Sequence, residues 1–168
     1  KVTDTELAHF KDCKQIYSLN LRGTNVSDAG MVHFKDHTNV MALVLDATQV
    51  TDVGLANFKE CPVFYSLVLS RTHVTDAGLA QFKDRTSALE GLGLSGTRIS
   101  DSGLAYFKDA KALNNLFLDD TQVTDAGLAN FAGSLKLRLV NVKNTKVTEA
   151  GVKKLHAALP QCKITSDH

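Results

Sequence analysis

The segment Val2-Thr3-Asp4-Thr5-Glu6-Leu7-Ala8-His9-Phe10 returns, with small changes, at Val26, Val50, Val74, Ile99, Val123 and Val147. Successive starts are 24 residues apart, except for the 25 between Val74 and Ile99. A unit this short cannot enclose a core of its own, so such a chain must stack its units and bury a shared one. The extra residue falls between Asp84 and Leu89, in the stretch joining the two halves of a unit, where an insertion does least harm.

Each unit carries a second signature, Leu-x-x-Leu-x-Leu-x-x-Thr-x-Val, first filled by Ile16, Leu19, Leu21, Thr24 and Val26 and then by five further copies, ending at Leu137, Val140, Val142, Thr145 and Val147. Within it the alternation of Leu19-Asn20-Leu21 is that of a half-buried strand. The leucines point inward, whereas Ser18, Asn20 and Arg22 point outward. The other half of the unit reads as a short helix with a Ser or Thr N-cap, an Asp in the first turn, and apolar residues three apart on one face, as in Ser27, Asp28, Met31 and Phe34.

This is the pattern of the leucine-rich repeat, with threonine where the usual form has asparagine or cysteine. The Ser/Thr-Asp-x-Gly-Leu start and the Cys13-x-x-Ile16 spacing resemble its cysteine-containing, ribonuclease-inhibitor-like subfamily, and the near-identity of the copies resembles bacterial multi-repeat proteins. The resemblance covers essentially the whole chain. It implies an α/β architecture: one leucine-rich-repeat domain over residues 1–168, a right-handed solenoid with a parallel sheet on the concave side and short helices on the convex side. It is specific for the fold and nearly silent about a ligand; the expected function, a non-catalytic module that binds a protein or peptide on the concave face, is read instead from the outward strand positions.

The helical glycines Gly30, Gly54, Gly78, Gly103, Gly127 and Gly151 each cost about 1 kcal/mol in propensity, which predicts close approach of neighbouring units there. The threonines Thr24, Thr48, Thr72, Thr97, Thr121 and Thr145 are expected to bond turn backbone that would otherwise be buried unpaired. From Val147 onward the unit departs from the pattern, and residues 147–168 read as a closing cap. At the other end Val2, Leu7 and Phe10 already belong to a unit with no capping segment before them. That predicts a fragment of a longer array, or self-association through this edge.

Composition removes several function classes. With 19 basic against 18 acidic side chains, no field is strong enough to recruit nucleic acid or an anionic membrane. No apolar run approaches the roughly 18 residues that would span a bilayer, so no membrane insertion is expected. The cysteines Cys13, Cys61 and Cys162 match neither a disulfide framework nor a zinc pattern, and are read as free thiols that pack.

Candidate chemistry is sparse. Gly91-Leu92-Gly93-Leu94-Ser95-Gly96 spells a dinucleotide-binding pattern, but Leu92 and Leu94 are framework leucines and put the glycines in a strand, not in a phosphate-holding turn. His33 and His37 have the i, i+4 spacing of a helical metal pair. No third ligand is evident, so two solvated histidines are the preferred reading. No serine or cysteine sits in a nucleophile motif, and the carboxylates recur as helix-start residues, so neither catalysis nor a cofactor is expected. Asn25-Val26-Ser27 is a formal glycosylation acceptor. The Lys-Asp steps that follow Phe10, Phe34, Phe82 and Phe107 are read as a row of paired, solvated charges on the convex rim.

What differs between units lies on the outward strand positions. The residues expected to meet a partner are Asn20, Arg22, Val44, Asp46, Val68, Ser70, Gly93, Asn115, Phe117, Asp119, Asn141 and Lys143. Val44 and Val68 should lead to a gap left by Gly91 and Gly93, with Phe117 and Leu139 beyond and charges around, as in protein interfaces with an aromatic anchor. The alternative is a structural spacer whose sheet contacts nothing specific.

Overall fold

The computed structural model describes residues 2–168. Each unit contributes one short strand: β1 (Ser18–Asn20), β2 (Ala42–Val44), β3 (Ser66–Val68), β4 (Gly91–Gly93), β5 (Asn115–Phe117), β6 (Leu139–Asn141) and β7 (Lys163–Thr165). They form one parallel sheet in chain order, and each strand pairs in register with the next. Leu19, Leu43, Leu67, Leu92, Leu116 and Val140 therefore fall in one buried row.

Opposite the sheet stand α1 (Asp4–Leu7), α2 (Asp28–Met31), α3 (Asp52–Leu55), α4 (Asp76–Leu79), α5 (Asp101–Leu104), α6 (Asp125–Ala129) and α7 (Glu149–Ala158). Each of α1 to α5 is a single turn that tightens into a 3₁₀ turn, for example Val32–Phe34 after α2. In a 3₁₀ turn residues three apart eclipse. Met31 and Phe34 thus both point into the core, as do Leu55 and Phe58. The phenylalanines Phe34, Phe58, Phe82, Phe107 and Phe131 form its largest buried column.

Two ladders of side-chain hydrogen bonds run along the units. The first was visible in outline only. The N-cap of each unit gives its backbone N–H to Oδ1 and its hydroxyl to Oδ2 of the preceding unit's first helical Asp: Ser27 to Asp4, Thr51 to Asp28, Thr75 to Asp52, Ser100 to Asp76, Thr124 to Asp101 and Thr148 to Asp125. These bonds measure 2.7 to 2.9 Å for N–H and 2.5 to 2.7 Å for O–H. The aspartates are thus more than partners of a helix dipole. Their Oδ1 atoms press on the helical glycines, where a Cβ would overlap Asp4 at Gly30, Asp52 at Gly78 and Asp125 at Gly151, which explains the glycine column.

The second ladder is the threonine column, where each hydroxyl donates at 2.5 to 2.7 Å to the carbonyl three residues earlier, from Thr24 to Leu21 through Thr145 to Val142. The bonds close the turn within one unit and do not cross to the next. The residue just before each of these threonines adopts a left-handed conformation: Gly23, Ala47, Arg71, Gly96, Asp120 and Asn144, with φ between 52° and 67°. Each N–H of the first five reaches the next unit's backbone, as Ala47 does to the Ser70 carbonyl at 2.8 Å. The last, Asn144, finds the Asp167 carboxylate at 2.6 Å instead.

Three expectations need correction. His37 is not solvated but 1% exposed. Its Nε2 lies 3.1 Å from the Phe10 carbonyl oxygen and its ring packs 5.1 Å from that of Phe34. The chain turns inward at the end of the 3₁₀ segment, and Cys61, Ala110 and Ser134 occupy the same buried place in their units. Cys61 and Cys162 pack as expected, and burial raises both thiol pKa values, whereas Cys13 is exposed because no described unit covers it. The Lys-Asp steps are solvated but unpaired. Among the described residues the ion pairs are Arg22 with Asp46, Lys59 with Glu60, and Lys153 with Glu149.

Candidate partner-binding site

Register sets the rows of the open sheet face. Asn20, Val44, Val68, Gly93, Phe117 and Asn141 stand side by side in one row, and Asn115 belongs to the neighbouring row with Gly91 and Leu139. Arg22, Asp46, Ser70, Asp119 and Lys143 follow two residues after the first row, where the strands have ended and the left-handed turns begin.

A hollow of about 350 Å³ opens over the middle of this face. Of the expected residues it gathers Arg22, Asp46, Val68, Ser70, Gly93, Phe117 and Asp119; the others, Asn20, Val44, Asn115, Asn141 and Lys143, lie outside its lining. Gly91 and Gly93 do not leave the gap that the sequence suggested. A Cβ on Gly93 would stand 2.8 Å from Val68 Cγ1, so the valine already fills that space, and Gly91 does not line the hollow. The depression lies closer to the turns than expected, with Val68 and Phe117 as apolar walls.

Arg71, Ser95, Gly96 and Asp120 also line the hollow; Ser95 holds an outward position of the repeat, whereas sequence reasoning gave Arg71, Gly96 and Asp120 no place on this face. Arg71, Gly96 and Asp120 are themselves left-handed, and Ser95 directly precedes Gly96. Alternation gives no direction to a residue past the end of a strand, whereas a left-handed residue turns the chain back over the sheet's edge. The signal was available in the repeat column itself, where Gly23, Gly96, Asp120 and Asn144 are the residue types that tolerate positive φ.

The charges of the hollow are held in place by bonds within the protein. Asp46 is 4% exposed; its Oδ1 accepts the Ser70 N–H at 3.1 Å and its Oδ2 faces Arg22 Nε at 3.5 Å. Asp119 Oδ1 accepts the Ser95 hydroxyl at 2.6 Å and the Asn141 amide at 2.8 Å, and Asp120 Oδ1 accepts the Asn144 amide at 3.0 Å. Carboxylates held in this way have little conformational entropy left to lose. Arg22, its partner Asp46 and Arg71 belong to units 1 to 3, and the carboxylates Asp119 and Asp120 to unit 5, so the rim carries a net positive charge at one end and a negative charge at the other.

A second exposed row was not foreseen. Tyr17 and Tyr65 are 55% and 46% exposed just before β1 and β3, with Met41 between them in the backbone ladder. They share the parity of the inward leucines, but they precede the strands and so escape the core.

No family model matches the chain, and no curated protein matches it. Among solved structures it is similar to an internalin, InlF, from Listeria monocytogenes, at 19% identity and a TM-score of 0.71, over 96% of this chain and 50% of that one. It is also similar to an internalin C2 from Listeria monocytogenes, at 17% identity and a TM-score of 0.72, over 99% of this chain and 76% of that one. The chain spans half the length of the first of these. Internalins are leucine-rich-repeat proteins, and the likeness establishes the fold.

Proposed function

We propose that this leucine-rich-repeat chain is a non-catalytic module that binds a protein or peptide on the open face of its sheet. The reading rests on one observation above others: side chains that vary from unit to unit meet in a single hollow between Val68 and Phe117, while the framework around them repeats. An apolar side chain of the partner fits between those two walls, and polar groups at its edges meet Asp119 and Arg71. An apolar centre with a polar rim is the common anatomy of such interfaces, in which an aromatic residue tends to supply an energetic hot spot.

The test is selection of a phage-displayed random peptide library on the immobilised chain, followed by titration of the enriched peptides. The double variant V68D/F117D should weaken their binding by at least about 30-fold, the ~2 kcal/mol of a hot spot, with an unchanged circular-dichroism spectrum. Peptides that bind the variant equally well would place recognition on another face. A library that yields no binders would favour the spacer.

A further inference from the structure

Glu6 occupies the place in unit 1 that Gly30, Gly54, Gly78, Gly103, Gly127 and Gly151 hold in the other units. At every one of those glycines the preceding unit's Asp Oδ1 lies where a Cβ would go. At Glu6 a Cβ is present. The same Asp also supplies the acceptors for the following N-cap, and in unit 1 Glu6 supplies them from within its own turn. Thr3 gives its N–H to Glu6 Oε2 at 2.8 Å and its hydroxyl to the same oxygen at 2.5 Å. The equivalence shows in the electrostatics as well: Thr3's bonds hold the Glu6 carboxyl below its ordinary pKa, as Thr148's bonds do for Asp125.

The other end of the ladder is altered in the complementary place. Unit 7 has Glu149 where units 1 to 6 have the bridging Asp, and this carboxylate turns back to Lys153 of its own helix, 2.7 Å away. Glutamate thus replaces the glycine of the first unit and the aspartate of the last. In both positions the carboxylate is used up locally.

We propose that Glu6 is a stop residue: it closes the helix edge of unit 1 to any further unit built on the Asp–Gly contact. Two features exclude such a neighbour independently. The Cβ of Glu6 takes the volume that the incoming Asp Oδ1 needs, and Thr3 has already given both its donors to Glu6. A segment that covers the exposed Val2 and Phe10 has to make a contact of another kind.

The test adds a like unit and asks whether it docks. Residues 50–73 are duplicated and fused directly ahead of Val2 in the full chain, once with Glu6 and once with E6G. Amide exchange is read in the added unit, together with the urea midpoint. With E6G the added strand should pair with β1, its amides should exchange about tenfold or more slowly than in the Glu6 fusion, and the midpoint should rise. With Glu6 the added unit should stay unprotected and the midpoint unchanged. A third fusion with E6A retains the Cβ but not the carboxylate, and should also stay unprotected. Equal protection in the Glu6 and E6G fusions overturns the proposal, as does failure of the E6G fusion to protect the added unit while the unfused E6G chain remains folded.

Discussion

Gly78 stands at the start of α4, where alanine is the better helix former by about 1 kcal/mol. Propensity alone therefore predicts that G78A stabilises the protein. The structure predicts the reverse, since the new Cβ would overlap Asp52 Oδ1 and stand 2.8 Å from Asp52 Cγ. Overpacking of this order costs about 1–3 kcal/mol, so the urea midpoint of G78A should fall. In a D52A background the penalty should shrink, because the carboxylate is gone and only the residue-52 Cβ, 3.2 Å away, remains; a double-mutant cycle measures the difference. The glycine column was legible as close packing, but what it packs against was not. An Asp in the first turn of a helix is already accounted for by the dipole, and nothing in a one-dimensional pattern says that its carboxylate turns towards the next unit. His37 was misread for a related reason. Its i, i+4 spacing from His33 suggested a metal pair and the lack of a third ligand a solvated side chain, whereas its column, shared with Cys61, Ala110 and Ser134, is a buried one.

Elements this short hold their shape through their ends. The turn-and-a-bit formed by α3 and the 3₁₀ segment Ala56–Phe58 leaves carbonyls free at its C-terminal end, which cationic side chains can satisfy. Arg85 does this from the next unit. Its Nη1 donates to the Cys61 carbonyl at 2.8 Å and to those of Phe58 and Lys59, and its Nη2 donates to the Gln81 carbonyl at 2.5 Å. The inserted residue makes this possible. Thr86 takes the buried place that Ala110 and Ser134 fill in later units, with the Leu89 N–H returning to its carbonyl at 3.1 Å, and Arg85 is freed to reach backward. R85A should therefore lower stability by about 1.5–3 kcal/mol, the range for hydrogen bonds involving a charged group, and should speed amide exchange chiefly at Cys61 and its neighbours. A midpoint within error of the parent would mean that these carbonyls are served equally well by water. The position of the insertion was evident from spacing alone, but its use was not, since a 25-residue unit looks the same whether its extra residue bulges outward or clamps its neighbour.

At the scale of the whole molecule the sequence was most informative where it repeats and least where it does not. Six near-identical copies determine strand, helix and register together, since a slip of one residue in any strand would turn its leucines outward. The candidate site depends on single-copy differences, and its position shifted toward the turns because Val68 fills the space above Gly93 and the left-handed residues bring Arg71 and Asp120 back over the sheet. Stability should also be distributed by neighbour. In a solenoid each unit rests only on those beside it, so unit stability is an intrinsic share plus the interfaces on either side. Leu21 and Leu69 make the same backbone bond to the next strand, at 2.9 Å to the Val44 carbonyl and 2.8 Å to the Gly93 carbonyl, so the bond itself does not distinguish them. Their surroundings do: unit 1 has a described neighbour on one side, and its Phe10 is 47% exposed, whereas Phe58 in unit 3 is fully buried between two units. The Leu21 amide should then exchange about tenfold or more faster than that of Leu69, and the Leu94 amide should match Leu69. Native-state exchange across the chain measures this directly. A gradient falling from units 3 to 5 toward unit 1 supports neighbour-by-neighbour stabilisation, and identical protection at Leu21 and Leu69 would show that the units open only together.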